Sequence, residues 1–381
     1  MHTLLALISC LLLSGYALLI LYYRIQWGRI PEYRPADKEL QHPVSITLII
    51  PARNEEERIT RCLQSIRSQH YPAAHLQVIV VDDHSNDRTA ELVREFEGLP
   101  VELIHLADHP VSGQEFAYKK RAISLAINKA RGELIVTTDA DCTAASGWLH
   151  ALSAFYREMG ALCMVMPVRY PDGGGLLQRF QLLDFLALQG ITGAAVHSAT
   201  HSMCNGANLA YTKAVFESVG GFSGIDHIAS GDDMLLLHKI YQQFPGRVAY
   251  VKSPDVIVTT QPPATLREFF RQRIRWASKA SHYQDRRIFL VLLLVYVLNV
   301  WILALMVAAL FSVEYRLHAL LLVVVKTSVE LLFLWRVADF FSCRAPLIWF
   351  PFAQPFHVLY TVISGWLGKF GRYSWKGRTV R

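Results

Sequence analysis

From Leu4 to Tyr23 the chain carries no formal charge. A bilayer crossing needs about 20 mostly apolar residues in one helix, so this stretch is long enough to span. It lacks a basic leading region and a small-x-small cleavage site, which reads as an uncleaved anchor and not a removable signal. Three further apolar segments follow near the other end, at residues 288–311, 317–341 and 347–367. Lys326, Glu330 and Arg336 interrupt the middle one, and Pro351, Gln354 and Pro355 the last. Polar groups at membrane depth are costly and face protein or a cavity. A hydrophobic content of 52% over 381 residues agrees with membrane segments and is too high for two ordinary soluble domains.

The net charge of +7 is concentrated beside these segments. Arg24, Arg29, Arg34 and Lys38 follow the first; Arg267, Arg271, Arg273, Arg275, Lys279, Arg286 and Arg287 precede the second. Under the positive-inside tendency the stretch between them lies in the cytoplasm. Three crossings after it would carry Lys369, Arg372, Lys376, Arg378 and Arg381 outside, against the same tendency. The segment around Pro351 and Pro355 is therefore expected not to span fully, leaving the tail cytoplasmic. Six scattered cysteines without a Cys-x-x-Cys pair argue against a disulfide framework or zinc site.

Periodicity divides the chain into an anchor (1–23), a polar linker (24–45), an α/β domain (46–262), an amphipathic interfacial segment (263–287), membrane segments (288–368) and a basic tail (369–381). Within the α/β domain, Val44 to Ile50, Val78 to Val81, Val101 to Leu106 and the apolar run that starts at Leu134 and ends in Asp139 and Asp141 read as buried strands, the first stopped by Pro51. Helical stretches at Glu55 to Ser68, Thr89 to Phe96 and Lys119 to Ala130 alternate with them. This is a mostly parallel sheet with helices on both faces. Such sheets bind ligands beyond the carboxyl ends of their strands, where Asn54-Glu55, Asp82-Asp83 and Asp139-Asp141 fall. Residues 176–188 are apolar almost all round and read as a segment resting on the membrane surface.

Asp139 and Asp141, two apart at the end of an apolar run, point in nearly one direction and suit a hard divalent cation, Mg2+ or Mn2+, completed by water and phosphate oxygens. The pair alone is equally at home as a helix cap and a solvated turn acid. Asp82-Asp83 and Asp232-Asp233 admit the same bland reading, and Arg275 and Trp276 that of interfacial anchors. His197 and His201 are four apart but lack the glutamate of His-Glu-x-x-His.

Taken together and in order, Ile49-Ile50-Pro51-Ala52-Arg53-Asn54-Glu55, Val81-Asp82-Asp83, Asp139-Ala140-Asp141, Gly231-Asp232-Asp233 and Gln272-Arg273-Ile274-Arg275-Trp276 resemble the motifs of the membrane-embedded family 2 glycosyltransferases. These are inverting enzymes with a Rossmann-like GT-A fold, and the branch includes cellulose, hyaluronan and poly-N-acetylglucosamine synthases and ceramide or carotenoid glycosyltransferases. The resemblance covers residues 46–279. It implies nucleotide contacts from Pro51, Arg53, Glu55, Asp83, Lys119 and Asp139, with Asp83 accepting the uracil imide proton of a UDP-sugar. It implies a metal at Asp141 and Asp139, a catalytic base at Asp233 supported by Asp232, and acceptor or diphosphate contacts from Asn205, Asn208, Gln272, Arg275 and Trp276. The family's glycine before the phosphate lysine is Tyr118 here, and the first acid of its Glu-Asp pair is Asp232.

The expected function is transfer of a sugar from a nucleotide donor to a lipid, lipid-linked or polysaccharide acceptor by a multi-pass protein of the cell (inner) membrane with a cytoplasmic catalytic domain. A processive polysaccharide synthase that exports its polymer is the alternative within the class. A transporter or channel leaves the α/β half unexplained. Nucleic acid is not expected as a partner, because the basic residues sit beside the apolar segments.

Overall fold

The computed structural model describes residues 2–36, 42–110, 117–228, 230–278, 285–370, 373–375 and 378–380. Lys38, Lys279, Arg372, Lys376 and Arg381, used in the charge argument above, lie outside them. In chain order the elements begin with α1 (His2–Arg29), β1 (Ile46–Ala52), α2 (Ile59–Arg67), β2 (Leu76–Asp82), α3 (Thr89–Arg94), β3 (Val101–His105), α4 (Tyr118–Lys129), β4 (Leu134–Thr137), β5 (Thr143–Ala144) and α5 (Trp148–Met159). They continue with β6 (Cys163–Val165), β7 (Val168–Arg169), α6 (Leu176–His197), β8 (Leu209–Thr212), α7 (Lys213–Ser218), α8 (Met234–Gln243), β9 (Val248–Tyr250) and β10 (Val258–Thr259). Helices α9 (Leu266–Ser278), α10 (Arg286–Phe311), α11 (Val313–Phe340) and α12 (Phe350–Phe370) and a terminal hairpin of β11 (Tyr373–Trp375) and β12 (Arg378–Val380) complete the chain.

These elements form two compact units. An α/β unit comprises Ile30–Pro171 and Ser202–Gln261; a helical unit comprises Met1–Arg29, Asp172–His201 and Pro262–Arg381.

In the α/β unit seven strands lie in the order β3-β2-β1-β4-β8-β6-β9. The first four are parallel, whereas β8 runs antiparallel to both β4 and β6, so the sheet is mixed. The chain winds outward from β1 through β2 to β3 and then returns to the other side of β1 for β4. That reversal makes the carboxyl ends of β1 and β4 the place where an open sheet leaves a crevice for ligands. Helix α2 buries Ile59, Cys62, Leu63 and Ile66, the i, i+3, i+4, i+7 stripe of a helix packed on a sheet. Pro51 does not stop β1, which pairs through Ala52. Successive residues of a strand address alternate neighbours: Ile49 O accepts from Thr138 N on the β4 side and Ala52 O from Asp83 N on the β2 side. Pro51 thus faces a β4 that has already ended, where its missing N–H goes unneeded. The expected linker is shorter and pinned: Tyr33 N donates to Lys252 O (2.8 Å) and its hydroxyl to Glu158 (2.9 Å).

In the helical unit, four helical stretches among the described residues, Thr3–Arg29, Arg286–Phe311, Val313–Phe340 and Ala345–Phe370, are long and apolar enough to cross a membrane. Leu4, Leu11, Leu290, Phe311, Leu317 and Phe352 are among many large apolar side chains they expose, a surface that water disfavours and lipid accepts. Helix α1 continues six residues beyond the expected end at Tyr23, to Arg29, because Tyr23 and Trp27 are buried. Tyr23 pairs with His201 Nε2 (2.8 Å) and Trp27 meets Phe340 edge-on. The segment at 176–188 is corrected by the structure. It belongs to a 22-residue helix packed against α1 and α11 within this unit, as a helix apolar on all sides requires. Gly190 allows the approach, since a Cβ there would fall 2.4 Å from Val337 and 2.7 Å from Phe333.

Candidate active site

The loops after β1 and β2 are laced to each other. Arg53 Nη1 donates to Asp83 O (2.7 Å) and lies 3.9 Å from the Asp83 carboxylate. Asn54, at φ 51°, donates from its N–H to Ser85 Oγ (3.0 Å) and accepts from Asn86 N (2.8 Å) through its side chain. Glu55 N donates to Thr89 Oγ1 (2.7 Å). Asp83 is buried, with one carboxylate oxygen 3.0 Å from His84 Nδ1. A carboxylate held this way at a strand end is a preorganised acceptor for a ring N–H.

The end of β4 carries the denser charge. Lys119, near the start of α4, reaches Asp139 at 2.7 Å and Asp232 at 3.3 Å. Burial alone would push the Lys119 ammonium down, but Asp139 and then Asp232 outweigh it and raise it above its ordinary value. Among the described residues no lysine or arginine is paired with Asp141. Burial, then the fields of Asp139 and Glu55, push its carboxyl above the usual carboxylate range, against hydrogen bonds from Cys142 and Thr260. Glu55 is itself buried and 3.4 Å from Arg58.

Asp233 caps α8. One carboxylate oxygen accepts from Met234 N (2.7 Å) and the other from Gly206 N (3.0 Å). Thr137, the last residue of β4, holds the same loop by donating to Gly206 O (3.1 Å). A side chain at Gly206 would press on Asp232 Oδ2 (3.2 Å), Asp233 Cβ (3.4 Å) and Lys119 Nζ (3.5 Å). The loop backbone and the three charged groups therefore share one small space.

The α/β unit thus brings together Asp139, Lys119, Asp232 and Asp233, with Asn205 in the loop that Gly206 continues. It does not bring Asn208. That residue is fully buried, its amide donating to Pro167 O and Val256 O (both 2.8 Å) and its oxygen accepting from Trp148 Nε1 (3.1 Å). Asn208 is a structural clamp, and no acceptor can reach it. Gln272, Arg275 and Trp276 lie on α9 in the helical unit, half-buried on flanking positions of one helix. Sequence reasoning gave no role to Thr137 and Thr260, which act through short polar contacts that no spacing announces.

Among the described residues no group of three or more His, Cys, Asp or Glu is arranged as a complete cage. Asp139 and Asp141 fit the other arrangement, in which protein supplies one or two carboxylates and phosphate oxygens and water the rest. The carboxylate left without a cationic partner at Asp141 is the group such an ion would stabilise.

Two family models match the chain, "Glycosyl transferase family 2" over residues 47–220 and "Glycosyl transferase family group 2" over residues 134–338. The chain is 28% identical over 257 residues to the probable glycosyltransferase YdaM of Bacillus subtilis, covering 65% of this chain and 57% of that protein. It is 29% identical over 285 residues to an N-acetylglucosaminyltransferase of Rhizobium meliloti, covering 70% and 64% respectively. It spans about three fifths of the length of these curated relatives. Among solved structures, the mannosyltransferase PcManGT of Pyrobaculum calidifontis, in complex with GDP-Man and Mn2+, shares the fold with a TM-score of 0.61 at 21% identity, over 94% of this chain and 99% of that one.

Proposed function

The chain belongs to the family 2 glycosyltransferases, and from that premise we propose that it transfers one sugar from a UDP-sugar to a lipid or lipid-linked acceptor at the cytoplasmic face of the cell (inner) membrane. The observation that carries this reading is the Lys119 bridge between Asp139 and Asp232, which joins the proposed metal-binding acids to the proposed base pair in one charge network.

In this reading Asp83 accepts the base imide proton, with Pro51, Arg53 and Glu55 shaping its loop. Asp141 and Asp139 would hold Mg2+ or Mn2+, which when bound neutralises charge on the diphosphate leaving group. Lys119 contributes a fixed positive charge at the same place, and Gln272 and Arg275 contribute hydrogen bonds to the diphosphate from α9. Asp233 takes the proton of the acceptor hydroxyl, and the attack inverts the anomeric carbon in a single displacement. Its two backbone donors hold it still, so the carboxylate needs no reorganisation to act. Asp232, tied to Lys119, supports its neighbour. Asn205 borders the acceptor, and Trp276 lines its entrance. Four helices able to cross a membrane favour an acceptor that is itself held in lipid.

The test is to incubate the purified protein with UDP-sugars, GDP-mannose and membrane lipids, and to weigh the products. A single hexose increment on a lipid, dependent on Mg2+ or Mn2+, is expected. A ladder of increments would instead mark a processive synthase. Turnover with GDP-mannose alone would overturn the assignment of Asp83 to uracil.

A further inference from the structure

The helical unit contains a chain of buried ionisable groups that the reading above does not use. Arg273 Nη2 lies 2.6 Å from Asp184 Oδ2, and the two side chains are 4% and 6% exposed. The guanidinium is sandwiched between Phe269 and Trp276, 5.1 and 4.2 Å from their ring centres. Asp184 Oδ1 accepts from the Tyr360 hydroxyl (2.5 Å) and lies 3.9 Å from His357 Nε2. His357 Nδ1 is 3.4 Å from Lys326 Nζ. Lys326 pairs with Glu330 at 2.7 Å, and Gln354 bridges them, accepting from Lys326 (2.8 Å) and donating to Glu330 (2.6 Å). Tyr16 of α1 donates to the same carboxylate. Five helices, α1, α6, α9, α11 and α12, are tied into one network whose anions and cations match two for two.

Burying such pairs costs more in desolvation than apolar side chains of equal volume would, so stability alone does not account for them. What paired charges supply is a fixed geometry. Arg273 is the residue that connects this network to α9, and it sits one position from Gln272, two from Arg275 and three from Trp276. A side-chain tip about 6 Å from a helix axis moves about 1 Å for each 10° of rotation, and a 1 Å misplacement can cost about 100-fold in rate.

We propose that the Asp184–Arg273 ion pair is a positioning device: it sets the rotation of α9 that presents Gln272, Arg275 and Trp276, and the Lys326–Glu330 pair holds it in place through His357. The inference rests on the role given to those three residues above. Arg273 and Asp184 are positioning residues and touch no reacting atom.

Two readouts test it on the full-length enzyme. Trp276 emission is isolated as the difference between the enzyme and Trp276→Phe, each compared with and without Asp184→Asn; the transfer rate is measured per folded molecule. Asp184→Asn is expected to shift the Trp276 component and to lower kcat at least tenfold, while UDP affinity changes less than about threefold. Asp184→Glu restores part of kcat, whereas Arg273→Lys does not, since an ammonium cannot fill the slot between two rings as a planar fork does. The double variant Lys326→Met with Glu330→Leu, which removes both charges together so that neither is left buried alone, is expected to lower kcat per folded molecule about threefold or more. A shift of Trp276 without loss of kcat, or loss without a shift, overturns the proposal. Normal kcat in the Lys326/Glu330 double variant removes the distal half of it. If wild-type protein transfers no sugar but Trp276 still responds to Asp184→Asn, the functional reading has failed and the positioning pair has not.

Discussion

The two units of this protein treat charge in opposite ways. In the α/β unit, Asp139 and Asp232 share Lys119, Asp233 caps α8 next to them, and Asp141 is pushed above its ordinary range by burial and then by Asp139 and Glu55. In the helical unit every buried charge of the network has its opposite within hydrogen-bonding range. The first arrangement carries more negative than positive charge among the described residues; in the second the charges match, Arg273 to Asp184 and Lys326 to Glu330. Surplus charge marks where a ligand's charge is used, and balanced charge marks where a shape is held.

Removing the lysine from each unit breaks the comparison most sharply. Lys326→Met leaves Glu330 buried without its cation and is expected to cost about 3–5 kcal/mol. Lys119→Met acts at a partly exposed site and is expected to cost about 1–2 kcal/mol after allowance for solvent screening. Added Mn2+ should restore the second variant and leave the first unchanged in a thermal melt. Equal rescue of both would erase the distinction drawn here.

Asp233→Asn is nearly isosteric and keeps an oxygen for the caps from Met234 N and Gly206 N. Its single oxygen can keep only one of those two caps, and its amide NH2 then faces the other N–H; it is expected to preserve UDP affinity yet reduce transfer by at least about 100-fold, the scale of a lost general base. Asp232→Asn should be milder, and the reverse ranking in steady-state assays would move the base to Asp232. Asp141→Ala should weaken UDP binding by about tenfold in the presence of Mn2+ and by little in EDTA. Calorimetry finding equally tight binding with and without chelator would falsify the metal site.

The smallest effect concerns a group that the helical unit keeps uncharged. His201 is buried against Tyr23, and burial lowers its imidazolium to about 4 from 6.5. A depressed folded-state value means the unfolded chain takes up the proton first, so stability is full above about pH 6.5 and falls as pH drops towards 4. Between pH 7 and 6 the loss is about 0.7 kcal/mol. His201→Gln should flatten that slope in denaturant titrations.

The readable parts of the molecule were those written in long periods. Apolar runs followed by acids located β1, β2 and β4, and Ile59, Leu63 and Ile66 on one helical face located α2. Antiparallel β8 was not legible, because Leu209–Thr212 is too short for a period to show. The segment containing α6 misled for a different reason: a helix apolar on every side looks the same to sequence reading whether lipid or protein surrounds it, and only the packing at Gly190 decides. Asn208 stood in a loop of the right composition, yet its hydrogen bonds turn it inward. Lys119 was expected at a phosphate, and its contacts with two carboxylates come with α4 packing against β1 and β2, which spacing along the chain does not reveal.

The position of β8 has a consequence for how the protein is made. It separates β4 from β6 in the sheet, yet it is encoded after α6, a helix of the other unit. During synthesis β1 to β4 can pair as they emerge, but the exposed edge of β4 and the isolated β6 must wait until residue 212 leaves the ribosome. Non-local pairing of this kind is slow and exposes strand edges to wrong partners. The nascent chain thus carries α6 out before its sheet can be completed, and a stall between residues 165 and 209 would leave the edges of β4 and β6 that face β8 unpaired.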